Sequence, residues 1–312
     1  MTAPKRDLAQ EITARIIAQL EHGVRPWRKP WNAAHCDGRI VLPLRANGVA
    51  YRGINVLLLW MTAVANGYAS PFWLTFRQAL EHGAHVRKGE RGTTVVYYGQ
   101  QTRTSVGDEG AEEQESFRFL KGYTVFSADQ IEGLDDAWHP RPTPPAPFER
   151  LDRCETFFTA LPTDVRHGGN QAYYAIGSDH IQLPPIEAFE SVETYYSTRA
   201  HETCHWTRHP SRLDRDFGRK RWGDEGYAVE EIVAEIGASY LGAQLDLPDS
   251  HIEDHGSYIA SWLRVLNNDR KAIFAAAARA QEAVDLLHRL AGTTAELGVE
   301  PGVEGDTEPL AA

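Results

Sequence analysis

Five prolines fall within the eleven residues His139–Glu149, "HPRPTPPAPFE". Proline fixes φ and withholds a backbone N–H, so neither a helix nor a strand ladder can run through such a stretch. A chain of 312 residues is long enough to bury two cores, and the proline stretch is the natural place to divide it. The expected organisation is a first domain at 1–138, a linker at 139–149 and a second domain at 150–292. The last stretch, 293–312, is acidic and short of large apolar residues, which predicts a tail without fixed structure.

Periodicity fills in the two parts. Leu8, Ile12, Ile16 and Leu20 recur every four residues, which predicts an amphipathic helix over 7–22, stopped at Gly23. "NGVAYRGINVLLLWMTAVANG" reads as a turn and a helix ending near Asn66-Gly67, and "WLTFRQALEHG" as a short helix. Two β-rich runs, Thr93 to Tyr98 and Phe117 to Phe126, flank an acidic insert at Ser105 to Glu115. Beyond the prolines, a helix over Leu151 to Leu161 is followed by two short strands around the Gly-Ser-Asp turn of "QAYYAIGSDHIQLPP". From Val192 onward the pattern is almost wholly helical. The fold class is therefore α+β: an α+β first domain and a mainly helical second domain with a small sheet. Trp60, Phe76 and Phe126 are expected in the core, as are Trp262, Leu263 and Leu266 against the preceding helices.

Charge separates the same two parts. Residues 1–107 hold 14 Lys and Arg against 6 Asp and Glu, a surplus of eight; the remaining 18 basic and 37 acidic residues leave the rest at −19. A basic segment in an acidic protein suggests a surface for polyanions. Three cysteines, odd in number and far apart, argue against a disulfide framework and fit a reducing compartment. The N-terminus has no secretory pattern and no apolar run approaches a membrane span, so a cytoplasmic protein without membrane contact is expected.

The chemistry sits in "STRAHETCHWTRHP", where His201, Glu202 and His205 form a His-Glu-x-x-His pattern; about 0.04 chance matches are expected for this composition. Residues four apart share a helix face, so both imidazoles can meet one ion, while Glu202, turned by about 100°, can reach a water beside it. A carboxylate there can take a proton from water and hand it to a leaving amine. A catalytic site usually has three protein ligands, and "YAVEEIVAEIGASYLGAQL" supplies a second helix with Glu231 and Glu235 on one face. Glu231 is expected as the third ligand and Glu235 as the acceptor from a liganding imidazole, with the reverse assignment as the alternative. Cys204 points away from the ligand face and is expected to be a buried apolar residue. His251 and His255 are expected on the surface. The basic turn "RHPSRLDRDFGRKRW" reads either as the border of a cleft or as a solvated loop.

These segments resemble the ArdC-type antirestriction proteins of conjugative plasmids and related mobile elements. "HETCHWTRHPSRLDRDF" and "RWGDEGYAVEEIVAEIGASYL" are similar to the C-terminal metallopeptidase-like domain; "RPWRKPW", "NGVAYRGIN" and "WLTFRQALEHGAHVRKGERGTTVVYYG" are similar to the N-terminal single-stranded-DNA-binding domain. The resemblance runs from about residue 7 to 290. It implies a zincin-like second domain, a divalent ion, ssDNA binding and protection of incoming DNA from restriction. Zinc is the expected ion, and Mn2+ or Co2+ would suit the same donors. The enzymatic expectation is an HExxH metallopeptidase acting on a protein substrate or on a component of a restriction system. Two alternatives stand beside it: a DNA-associated protease acting on DNA-bound proteins, and a scaffold with a vestigial metal site.

Sequence-tolerant binding of single strands needs aromatic faces next to cations. Trp27, Arg28, Lys29 and Trp31 provide both within five positions, Tyr51, Arg52 and Asn55 lie in the second matching segment, and Arg87, Lys88 and Arg91 form a basic Gly-containing turn ahead of Tyr97 and Tyr98. These are the expected DNA-binding residues.

Overall fold

A computed structural model describes residues 7–22, 41–106, 112–140, 147–217, 225–247, 256–269 and 271–293. Trp27, Arg28, Lys29 and Trp31, the acidic tail, His251 and His255 lie outside the described residues. The first part begins with α1 (Leu8–Glu21), capped by the Asp7 side chain, which accepts from the Gln10 N–H at 3.1 Å. A short β1 (Leu44–Arg45) leads to α2 (Ile54–Asn66), where Val56 to Leu59 are all buried. A helix so enclosed must lie inside the protein rather than on one face of it. Gly67, at φ 70°, ends it in the left-handed conformation.

Next come β2 (Phe72–Leu74), α3 (Phe76–Glu81) and β3 (His85–Val86), followed by the long antiparallel pair β4 (Thr93–Val106) and β5 (Glu112–Ser127). The sheet order is β1-β2-β5-β4, with β1 and β2 parallel. Pairing of β4 with β5 extends from Thr93↔Val125 to Val106↔Glu112, so the ladder reaches into the acidic insert at Ser105 to Glu115. Backbone complementarity continues there irrespective of the acidic side chains. A small β6 (Ile131–Glu132) pairs with β3.

Phe76 departs from the expected core placement, being 53% exposed. Thr75 and Gln78 form a capping box that fixes the start of α3. That start turns Ala79 inward and leaves Phe76 and Leu80, one turn apart, facing solvent. Trp60 and Phe126 are partly buried and pack against the core as expected.

The second part comprises α4 (Pro147–Thr159), β7 (Asp164–His167), β8 (Tyr173–Ala175), β9 (His180–Leu183), α5 (Val192–Trp206), α6 (Glu225–Gln244), α7 (Gly256–Asn268) and α8 (Ala272–Leu290). Proline at the first position of α4 is compatible with a helix start because that N–H has no intrahelical partner. The second sheet has order β7-β9-β8, with β7 parallel and β8 antiparallel to β9. Sequence reading missed β7. Its residues, "DVRH", are mostly exposed and show no apolar signature.

The two parts share one apolar core. Ile12, Ile16 and Leu20 of α1 and Leu57 and Leu59 of α2 belong to the same buried cluster as Tyr240, Trp262 and Val284. The α1 helix packs on α7, and α2 packs on α8. A second, smaller cluster around Leu74, Ala79 and Ile131 stays within the first part.

Candidate metal centre and aromatic ribbon

The candidate metal centre lies where α5 meets α6. Ser191 caps α5 by accepting from the Thr194 N–H at 3.1 Å. The two helices approach closely because Gly237 faces Cys204: a Cβ on Gly237 would fall 2.8 Å from the Cys204 Sγ. Burial pushes the Cys204 thiol up to about 12, which leaves it an inert filler of the contact, as expected.

That contact brings Glu231 to the histidines. The Nε2 atoms of His201 and His205 lie 3.1 Å apart. Glu231 places one carboxylate oxygen 3.4 Å from His205 Nε2 and the other 3.6 Å from His201 Nε2. Ligands about 2.05 Å from a tetrahedral ion sit about 3.3 Å from each other, so the three donors fit one ion at bonding distance. Among the described residues these three form the group suited to a metal.

Outer contacts fix the donors. His205 Nδ1 faces Glu230 Oε1 at 3.2 Å, so Nδ1 donates to that carboxylate and Nε2 is the nitrogen left to meet an ion once it gives up its proton. The carboxylate beside a liganding imidazole is thus Glu230 rather than Glu235. Helix geometry explains the exchange: with Glu231 turned to the two Nε2 atoms, its neighbour Glu230 reaches the rear of His205. Glu235 is buried one turn along α6, and His201 Nδ1 has no hydrogen-bond partner among the described residues. Glu202 is buried beside the pair, and burial raises its carboxyl above the usual range. It accepts the backbone N–H of Tyr174 in β8, which ties it to the edge strand of the small sheet.

The expected DNA-binding residues fall into different settings. The Tyr51 ring is buried beneath the Arg45 guanidinium, whose carbon lies 5.4 Å from the ring centre. Arg52 is ion-paired with Asp285 of α8. Asn55 uses both ends of its amide on the Val96 backbone, donating to the C=O and accepting from the N–H, each at 2.8 Å. Arg87 forks onto Glu90, whereas Lys88 and Arg91 are exposed.

Sequence reading did not single out one surface. Along β5, Phe119, Lys121 and Tyr123 alternate onto a single face, joined by Tyr97 of β4, which pairs with Lys121. The Phe119 ring lies over Gly99, where a Cβ would fall 2.3 Å from the ring. Tyr97 is 6.2 Å from that ring, and the Lys121 ammonium stands 5.1 Å from the centre of Tyr123. The alternation in "FLKGY" was the available signal. Tyr98, 57% exposed, lies on the opposite face.

Comparison with known proteins identifies both parts. Residues 152–279 match the model of a zincin-like metallopeptidase family, and residues 6–126 match the N-terminal domain of anti-restriction factor ArdC. The crystal structure of the metal-free antirestriction protein ArdC from plasmid R388 is 47% identical and covers 92% of this chain and 98% of its own, with a TM-score of 0.77. Its Mn(II)-bound form gives 45% identity and a TM-score of 0.75, covering 93% of this chain and all of that one. The protein y4eC of Sinorhizobium fredii is 40% identical over 288 residues, 90% of this chain and 92% of y4eC. The DNA primase TraC of Escherichia coli is 35% identical over 302 residues; the match takes up 92% of this chain and 27% of the primase. Among the described residues no helix is long and apolar enough to cross a membrane.

Proposed function

The chain belongs to the ArdC family of antirestriction proteins, and from that premise we propose that it binds single-stranded DNA through its first part and hydrolyses peptide bonds at a divalent-metal centre in its second. The observation that carries the proposal is the convergence of His201, His205 and Glu231 from two helices, with the buried Glu202 beside them. Zinc suits the imidazole and carboxylate donors, and the existence of a Mn(II)-bound form of the similar ArdC from R388 supports a divalent ion.

Bound there, the ion supplies Lewis acidity and lowers the pKa of a water. The protein's part is to hold donors and move protons. Glu202 takes the proton of the attacking water on a carboxylate oxygen and returns it to the departing amine. Burial, by raising its proton affinity, matches it to that exchange. The peptide substrate is a DNA-bound protein or a component of the restriction machinery, and the first part brings the centre to the strand.

On the first part, the ribbon face of Tyr97, Phe119, Lys121 and Tyr123 supplies rings for base stacking beside a cation. Lys88 and Arg91, and the sequence cluster Trp27, Arg28, Lys29 and Trp31, supply further cations and rings. The deciding experiment uses Glu202→Gln in metal-loaded protein. It leaves metal content and ssDNA affinity at wild-type values, abolishes cleavage of DNA-bound protein, and loses protection against restriction. Protection that survives the loss of cleavage overturns the proteolytic reading in favour of binding alone.

A further inference from the structure

Behind His205 lies a second set of buried charges. Arg215, in the chain following α5, and Glu230 of α6 form an ion pair whose side chains are 1% and 2% exposed. The guanidinium forks onto the carboxylate, with Nη2 2.8 Å from Oε1 and Nε 3.2 Å from Oε2. Its remaining donors meet the end of α5: Nη2 reaches the Cys204 carbonyl at 2.9 Å and Nη1 reaches the Thr207 hydroxyl at 2.6 Å. Thr207 in turn donates to the same Cys204 carbonyl at 2.6 Å. Carbonyls in the last turn of a helix lack intrahelical donors, and a cation there is favoured by the helix dipole.

The arrangement is directional. Glu230 Oε1 accepts from both Arg215 and His205 Nδ1, so the chain of contacts runs from the end of α5 through Arg215 and Glu230 to the imidazole whose other nitrogen faces Glu231. A buried carboxylate without a cation would be strongly disfavoured as an ion. With Arg215 locked against the helix end, Glu230 can remain charged at a fixed position. It then holds His205 in one tautomer and one ring orientation.

We infer that Arg215 and Glu230 are positioning residues of the metal centre, a clamp that aims His205 Nε2 inward and sets the affinity of the site. This rests on the reading that His201, His205 and Glu231 hold a divalent ion. The contact partners of metal-bound histidines typically change affinity by about 10- to 100-fold when removed, and a loss of that size is expected here.

The test measures Zn2+ dissociation constants by competition with a chromophoric chelator at fixed pH, on full-length protein, with thermal melting of the chelator-treated proteins as the fold control. Glu230→Gln is expected to weaken binding by roughly 10- to 100-fold without changing the one-ion stoichiometry. Single variants leave a buried group unpaired, so the double variant Arg215→Met/Glu230→Gln, which removes both charges at similar volume, decides if either single variant melts early. Weakened binding with a wild-type melt supports the clamp. Wild-type affinity in Glu230→Gln or in the double variant overturns it. Failure of the unaltered protein to bind Zn2+ instead overturns the metal reading beneath it.

Discussion

Tyr240 donates its phenolic proton to the Gly53 carbonyl at 2.7 Å, joining the helix that carries Glu231 to the start of α2. Gly53 also donates its N–H to Gln281, and its neighbour Arg52 pairs with Asp285. The two parts should therefore melt as one unit. Tyr240→Phe removes one buried hydrogen bond and is expected to cost about 1 kcal/mol, because the Gly53 carbonyl retains its bond from the Val56 N–H. Calorimetry should show one transition moved to lower temperature; two separate transitions, only one of them displaced, would contradict the shared core.

Gly237→Ala tests the close approach of the ligand helices. Its new methyl would lie 2.8 Å from Cys204 Sγ, one residue before His205, so either the Cys204 side chain or the helix contact itself must give way. The expected destabilisation is about 1–3 kcal/mol, with weaker metal binding. Gly242→Ala on the same helix meets Leu247 at 3.9 Å and serves as the control, with melting at or above the wild-type temperature.

Metal uptake should depend on pH in one direction. Burial alone would push the His205 imidazole down, but Glu231, Glu230 and Glu202 outweigh it and hold it up at about 10. His201 is likewise raised, with Glu231 overcoming burial, and Glu231 is held far below the usual carboxylate range by the two histidines against the effect of burial. At neutral pH an arriving ion must therefore displace a proton. Apparent affinity should fall as pH is lowered and rise about tenfold per pH unit for each proton displaced. Chelator competition at three pH values checks this, and an affinity independent of pH would refute it.

The ribbon face predicts a stacking contribution. Replacing Tyr97 or Tyr123 by Ala should weaken binding to an oligothymidylate by about 1–3 kcal/mol per ring. Phe119→Leu, which keeps Gly99 covered, should weaken it while preserving the melting temperature. Lys88→Ala and Arg91→Ala should each reduce the slope of log affinity against log salt by about 0.7. Fluorescence anisotropy across a salt series measures both, and unchanged affinity in all three ring variants would exclude the ribbon.

Sequence carried the helices and the histidine pair because each has a strong local signal, a four-residue apolar period or a spacing that matches one helical turn; the fold brings Glu231 beside that pair, as expected. Glu235 was expected behind a liganding imidazole and Glu230 stands behind His205 instead, because Glu230, Glu231 and Glu235 are all glutamates on one helix, and only the rotation of α6 against α5 decides which carboxylate faces which nitrogen. Arg215 carried no signal at all, since a basic loop residue looks the same whether it turns outward or inward. Tyr51, Arg52 and Asn55 show the converse. Their aromatic, cationic and amide chemistry suits a nucleic acid, yet tertiary packing turns them onto Arg45, Asp285 and Val96.

The bonds between Asn55 and Val96 bear on how copies of this protein meet. Strand β4 is the outermost of its sheet, and a bare margin there would offer another molecule's hairpin a ladder to extend. Asn55 occupies both backbone groups of Val96 from within the same chain. A second copy of this chain therefore meets no free pair of backbone groups at Val96 onto which its own sheet could be extended.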